Sequence, residues 1–422
     1  MKFLIIAYSD VDGVGQHVIS LNKNLKRIGH ESQTILLHKS ENDESLTLVK
    51  RSIFKRLIFF FQEFLKKDFK RLFSFGNSTI NFKDIKNYIE KSDIIIIYTL
   101  HKIISLKMLN KIFESRKIIY MRPLDMELAA GGCHVNTLPD GSECQKFETD
   151  CKKCPLLNSL NIFDLSNNIF NKKKIIIEKY KPKIFLENNF TRKIYTNSPI
   201  TKNAFNHTIF LGVNTDRIKK ISKIEARKFL GLDLDEKLIL FGTYNLDAPH
   251  KGGKILPDIL KKFTSILIDK DIISSSKIRL ITFGRKNSFN IGIPNLAWTH
   301  LGMINSNDKL NHLYRASDIF ASPSTGCNGP HVILEALLND LPVVAFDQGV
   351  AQDSVIDGLN GYLVPCFNID IFANSVFKSI FLNNFNFNDE KNKNLKNVFN
   401  SLNEAKTLVE FAEEDYKKKY KQ

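Results

Sequence analysis

Two α/β domains, each built around a parallel sheet, are what this 422-residue chain predicts. Short apolar runs alternate with helical patterns along its length, as expected for parallel strands joined by crossover helices. The series of runs breaks near residues 203–215 and then starts again, which at this length fits two cores of ordinary size. No apolar run approaches the ~20 residues needed to span a bilayer, and a hydrophobic content of 43% suits a water-exposed protein with buried cores.

The first series of expected strands is Phe3–Tyr8, Gln33–Leu37, Asp93–Tyr98, Lys117–Met121, Lys193–Thr196 and Thr208–Leu211. The second is Lys237–Gly242, Ile278–Phe283, Ile319–Pro323 and Leu341–Phe346. The opening run, Met1–Tyr8, is too short for a secretory signal and is followed by Asp10 and Asp12, so it reads as the first core strand of a cytoplasmic protein. Asn383–Asn397 is rich in Asn and Lys and reads as a solvated loop or frayed helix. Leu402–Tyr420 has a charged helical pattern. The resulting division is 1–205, 206–400 and a terminal helix at 401–422.

Three connections carry candidate binding chemistry. After the first strand, Gly13 and Gly15 let backbone approach a ligand at a helix start. Val18 stands where a third glycine would complete a dinucleotide fingerprint, which argues against that class of site. Early in the second domain, His250-Lys251-Gly252-Gly253-Lys254 places an ammonium at a loop-to-helix junction, where it can neutralise a diphosphate. The next strand ends at the same sheet edge with Thr282-Phe283-Gly284-Arg285.

The longest informative stretch is Ser322–Gly361. Pro330 at a first helical position loses only an N–H without a helical partner, and the amides of helix 331–338, from His331 and Val332 onward, suit an anion. Glu335, four residues after His331 and on the same helix face, can accept hydrogen bonds from a diol.

A net charge of +16 suits nucleic acid, anionic membranes or phosphorylated substrates. No helix-turn-helix, ribonucleoprotein motif or repeated finger occurs, so nucleic acid is not among the expected partners. Residues 51–75 combine Phe59, Phe60, Phe61, Phe64 and Phe69 with Arg51, Lys55, Arg56, Lys66, Lys67, Lys70 and Arg71. Phe54, Ile58, Phe61, Leu65, Leu72 and Phe75 recur near helical spacing, so the segment reads either as a helix in the headgroup region of an anionic bilayer or as a core-facing helix with a basic outer face.

Four of six cysteines, Cys133, Cys144, Cys151 and Cys154, fall within 22 residues, and Cys151-Lys152-Lys153-Cys154 has a spacing that lets two thiolates grip one ion. In a cytoplasmic protein such clustering favours metal over disulfides. The readings are a structural zinc on all four cysteines, a zinc on three of them plus His134, or disulfides and unliganded thiols.

The stretch Ser322–Gly361, with Lys251 and the glycines after the first strand, resembles the nucleotide-sugar site of retaining glycosyltransferases of family 4. The cysteine-rich insertion at 131–156, which follows Asp125, resembles that of a subgroup making bacterial exopolysaccharide of the colanic-acid type. The resemblance implies the GT-B fold: two Rossmann-like domains facing a cleft, an acceptor-side domain first and a nucleotide-sugar domain second, with the last helix crossing back to the first. It implies a UDP- or GDP-sugar donor, a glycan or polyprenyl-diphosphate-linked acceptor, no cofactor for catalysis, and work at the inner face of the cytoplasmic membrane.

It also implies roles. Lys251 with the helix amides holds the diphosphate, Glu335 the ribose, Gly13 and Gly15 the opposite wall, and Gly284 the donor-side edge. Asp125 is the polar group left at a position where relatives carry a His-Asp step, because Leu124 replaces the histidine. Cys327 occupies the place of the family's first paired carboxylate, and His250 that of an arginine. A front-face mechanism, in which the leaving phosphate helps deprotonate the acceptor, tolerates such losses. The competing classes are a non-catalytic sugar-nucleotide-binding paralogue and a basic lipid- or nucleic-acid-binding protein.

Overall fold

The computed structural model describes all residues except 12, 66–72, 139–141, 158–163, 273–276, 295, 327–330 and 421–422, and no side chain of 58 or 61–65. The chain forms two units, Met1–Gly212 with Ser401–Gln422, and Val213–Asn400. Among the described residues no helix is long and apolar enough to cross a membrane.

Among the described residues the first unit holds seven strands: β1 (Lys2–Ile6), β2 (Glu31–Leu36), β3 (Leu46–Leu48), β4 (Ile94–Ile97), β5 (Ile118–Met121), β6 (Lys183–Leu186) and β7 (Phe205–Thr208). They pair in the order β3-β2-β1-β4-β5-β6-β7, every neighbour parallel. β4 is Ile-Ile-Ile-Ile and fully buried, as a strand covered on both faces must be. Phe3, Ile5, Ile94, Ile96, Val18, Leu25, Leu408 and Ala412 share one core.

Two expectations change here. Lys193–Thr196 is not a strand but part of helix Asn189–Asn197, because Asn188 caps Thr191 N at 2.7 Å and Thr191, Ile194 and Tyr195 are buried at helical spacing. The strands on either side of that helix are β6 and β7, so Thr208 ends a strand where Thr208–Leu211 was expected to begin one. Ile209 N still donates to Leu186 O at 2.9 Å.

Helix Ser401–Tyr420 belongs to this unit and buries Ser401, Glu404, Ala405, Leu408, Val409 and Ala412, one continuous face that packs on helix Gly13–Arg27. Arg122, 0% exposed, fastens it. The guanidinium pairs with Glu404 through Nε at 3.1 Å and through Nη2, and donates to the Ile209 carbonyl at 3.0 Å. Tyr120 and Lys183 both reach Asp415, at 2.8 and 2.7 Å.

The second unit holds β8 (Lys237–Asn245), β9 (Ile278–Arg285), β10 (Ala297–His300), β11 (Ile319–Ser322), β12 (Val343–Phe346) and β13 (Gly361–Val364), in the order β10-β9-β8-β11-β12-β13, all parallel. Within Asn383–Asn397 helix Glu390–Val398 begins, capped by Asp389. In each sheet the strand order reverses beside the unit's first strand, between β1 and β4 and between β8 and β11. In open α/β sheets ligands bind beyond the carboxyl ends of the strands at such points.

Candidate functional site

In the second unit the loops after β8 and β11 flank this point. After β8 the chain makes a 3-10 turn, Pro249–Lys251. The His250 carbonyl accepts from Thr325 N at 3.0 Å and from Ser324 Oγ at 2.9 Å, so the turn is fastened to the loop after β11. Gly252 makes that approach feasible: its φ is +79°, and a Cβ there would lie 2.0 Å from the Pro323 carbonyl oxygen. Lys251, half-buried, is thereby held at the sheet edge beside the β11 loop.

The helix that follows β11 is Val332–Leu338, with His331 at its N-cap. Pro330 and Cys327, both singled out in the sequence, lie outside the described residues. Glu335 projects from the first turn, and the Tyr314 hydroxyl donates to its Oε2 at 2.7 Å. Burial pushes the Glu335 carboxyl up, while the Tyr314 hydrogen bond and the Arg217 charge favour its anion. Tyr314 and Arg217 were not singled out in the sequence; a tyrosine at helical spacing reads as core, and Tyr314 is indeed buried. Gly284 lies near the end of β9, with its N–H on the Gly302 carbonyl at 2.8 Å.

In the first unit, Gly13 opens helix Gly13–Arg27 and Gly15 follows within its first turn. A Cβ at Gly15 would lie 2.4 Å from the Asp10 carbonyl carbon, so the helix can meet the β1 loop only with glycine there, whereas a Cβ at Gly13 would meet nothing within 4 Å. Asp125 follows β5. Its Oδ1 accepts from Glu127 N at 2.7 Å and its Oδ2 faces His134 Nδ1 at 2.6 Å. An imidazole, that of His134 nine residues further on, thus faces Asp125, while Leu124 itself is core.

None of the described cysteines forms a disulfide. Cys133, Cys151 and Cys154 are buried and Cys144 half-buried. A hydrogen bond with Cys154 pushes the Cys133 thiol up, followed by its burial and by the charges of Cys154, Cys151 and Cys144. The four sulfurs therefore share one neighbourhood. That same bond from Cys133, with the amides of Leu156 and Leu157, holds Cys154 down at about 6 against its burial. Cys151 and Lys153 have φ of 54° and 50°, left-handed backbone that non-glycine residues adopt only when something holds it. The four thiols share this neighbourhood, but among the described residues no three of their sulfurs lie within 4.8 Å of one another, so the expected zinc site is not assembled as it stands. His134 faces Asp125 and Ser74 instead.

Among the described side chains of helix Ile53–Leu65 the exposed apolar ones are Ile53, Phe54, Leu57 and Phe60, all more than half exposed, beside exposed Arg56, while Phe59 is buried. Of the stripe read in the sequence Phe54 is exposed and Phe75 half-buried, whereas the side chains of Ile58, Phe61 and Leu65, residue Leu72 and the cations Lys66, Lys67, Lys70 and Arg71 lie outside what the structure describes.

Residues 241–380 match the model of a family described as Glycosyl transferases group 1. A D-inositol 3-phosphate glycosyltransferase of Saccharomonospora viridis is 27% identical over 181 residues, 40% of this chain, and the chain covers 40% of that relative's length. Sucrose-phosphate synthase from Thermosynechococcus elongatus is similar in structure with a TM-score of 0.67, at 15% identity over 99% of each chain. HepE of Anabaena, solved with UDP-glucose, gives a TM-score of 0.63 at 14% identity, over 98% of this chain and 100% of its own. The architecture is that of the GT-B fold.

Proposed function

We propose that this chain is a retaining glycosyltransferase that moves a sugar from a UDP- or GDP-sugar to a glycan or polyprenyl-diphosphate-linked acceptor in bacterial surface-polysaccharide assembly. The observation that carries this reading is the Lys251 turn fastened to the β11 loop at the switch point of the second sheet, inside the segment that matches the group 1 family. There Lys251 with the amides around His331 and Val332 takes the diphosphate, Glu335 the ribose diol, and Gly284 borders the donor. Gly13 and Gly15 line the acceptor unit's binding edge, and Asp125, oriented by His134, is the polar group beside the acceptor. The leaving phosphate takes the acceptor proton, so the transfer needs neither metal nor protein nucleophile. On binding, a structural zinc draws the four cysteines together and fixes the loop after β5.

A panel of UDP- and GDP-sugars tests the donor. The matching donor at ~100 times its dissociation constant adds about 2.7 kcal/mol and raises the melting temperature of the second unit. No shift across the panel would refute a nucleotide-sugar site; a shift without turnover on any lipid-linked or soluble acceptor would favour the non-catalytic paralogue.

Helix Ile53–Leu65 supports peripheral attachment at the inner face of the cytoplasmic membrane, because its exposed aromatic face adjoins a basic segment. Vesicles with anionic lipid should bind the protein and neutral ones should not. Replacing both Phe54 and Phe60 by Ser should weaken that binding roughly a hundredfold or more, since each buried Phe contributes about 1.5–3 kcal/mol. Co-sedimentation checks this, and unaltered binding would locate membrane contact elsewhere.

A further inference from the structure

His101 and Glu127, in the first unit, are not used in the proposed transfer, and His134 enters it only through Nδ1, which faces Asp125. They follow different strands, His101 after β4 and the other two after β5, yet one donor atom of each lies within 4.8 Å of the other two. Glu127 is 3% exposed and His134 5%.

The partners of each group aim the remaining donor atoms inward. Glu127 Oε2 accepts from Thr99 Oγ1 at 3.1 Å, Leu100 N at 3.1 Å and His101 N at 3.2 Å. Its Oε1, equally buried, accepts no hydrogen bond among the described residues. An orphaned carboxylate oxygen in such a place calls for an explanation, an ion being one. The nearby buried ammonium of Lys173 does not supply a partner, for it donates to the backbone carbonyls of Glu127 and Ala130.

His134 presents Nε2 to the cluster because its Nδ1 is held by Asp125 at 2.6 Å. A carboxylate on the far nitrogen fixes the tautomer and makes the near nitrogen a better ligand, as in the outer shell of most metal-bound histidines. Ser74 Oγ lies 2.9 Å from His134 Nε2 and 2.8 Å from His101 Nδ1, so a hydroxyl stands at the centre of the group, where a fourth ligand or a displaced donor would be.

We propose that His101, Glu127 and His134 bind one divalent cation of the zinc class, tying the loop after β4 to the loop after β5. Two imidazoles and one carboxylate are a borderline donor set, suited to zinc, cobalt or iron and poor for magnesium or calcium. The ion would share His134 with the proposed orientation of Asp125, and its nitrogen and oxygen ligands separate it from the thiol cluster.

Cobalt(II) added to the metal-stripped full chain distinguishes the two sites. Thiolate-bound cobalt gives an intense near-ultraviolet charge-transfer band, and cobalt on two histidines and a carboxylate gives visible d–d bands without it. Wild-type protein should show an equivalent of the second kind, which Glu127→Gln and His101→Ala should lose or bind at least tenfold more weakly, while Cys151→Ser keeps it. Zinc should raise the melting temperature of Cys151→Ser protein and not that of Cys151→Ser with Glu127→Gln. Should the variants fail to fold, wild-type protein decides alone: a cobalt spectrum with no non-thiolate component would overturn the proposal, as would equal uptake in folded wild-type and Glu127→Gln protein.

Discussion

Replacing Glu404 by Ala should cost about 3–5 kcal/mol of stability in the first unit, because it takes from a buried guanidinium the carboxylate it is hydrogen-bonded to. Arg122 has no exposure, and its remaining partners are the neutral carbonyls of Phe185 and Ile209, the Tyr98 hydroxyl and, through charge alone, Glu187. The second carboxylate oxygen of Glu404 holds Gly212 N at 2.8 Å, and His17 Nε2 lies 3.2 Å from the first. One substitution thus unfastens the terminal helix from β5, from the end of the first unit's chain and from helix Gly13–Arg27. Chemical denaturation followed by a probe in that unit measures the loss, and limited proteolysis should cut within 401–420 first. Replacing both partners with apolar residues, Arg122→Met with Glu404→Leu, should cost far less than the single change, since no charge is then stranded. The pH dependence has a definite sign. Burial raises the Glu404 carboxyl, but the charges of His17 and Arg122 more than offset this and hold it at about 2, below the ordinary 4.5. Its contribution is therefore fully present above pH 4.5 and disappears as pH falls toward 2. Glu404→Ala protein should lack that part of the acid sensitivity, and an unchanged denaturation midpoint would show that the pair does not hold the helix.

The central strands were readable from the sequence because strands covered on both faces are nearly pure apolar runs, and β4 could be little else, whereas the edge strands β3, β10 and β13, and β6, were not among the expected runs. Lys193–Thr196 misled because Lys-Ile-Tyr-Thr alternates like a strand, and only the Asn188 cap with the buried spacing of Thr191, Ile194 and Tyr195 marks the helix. The turn that carries Lys251 and the helix that carries Glu335 were readable because glycine and proline punctuate their loops. The groups that orient functional side chains were not. Ser74 meets His134 across 60 positions, and Arg122 meets Glu404 across 282. Pairings at such separations leave no local pattern; topology creates them when it brings loops after β4 and β5 to one edge. Tyr314 was hidden differently, since its ring serves the core and only its hydroxyl serves Glu335.

Lys251→Ala and Glu335→Ala should each lower kcat/KM for sugar transfer by roughly a hundred- to a thousandfold, about 2.7–4 kcal/mol, the usual loss when one preorganised charge contact is removed. The two should differ in form. Negative charge develops on the diphosphate as the glycosidic bond breaks, so Lys251, if it meets that charge, acts mainly in the transition state, and its loss should lower kcat together with kcat/KM. A ribose diol keeps its hydrogen bonds through the reaction, so loss of Glu335 should appear mainly as a higher donor KM. Tyr314→Phe removes the hydroxyl that orients Glu335 Oε2 and should raise donor KM by a smaller factor, about 1.5–3 kcal/mol for a hydrogen bond to a charged group. Lys251 is half-buried, so its replacement should leave the melting profile of the second unit close to wild type, whereas Glu335→Ala also strands the buried Tyr314 hydroxyl and should lower that profile modestly. Steady-state kinetics with the donor found by the thermal screen, together with those melts, make the comparison. Near-normal turnover in folded Lys251→Ala and Glu335→Ala proteins would remove the β8–β11 edge as the donor site, whatever fold surrounds it.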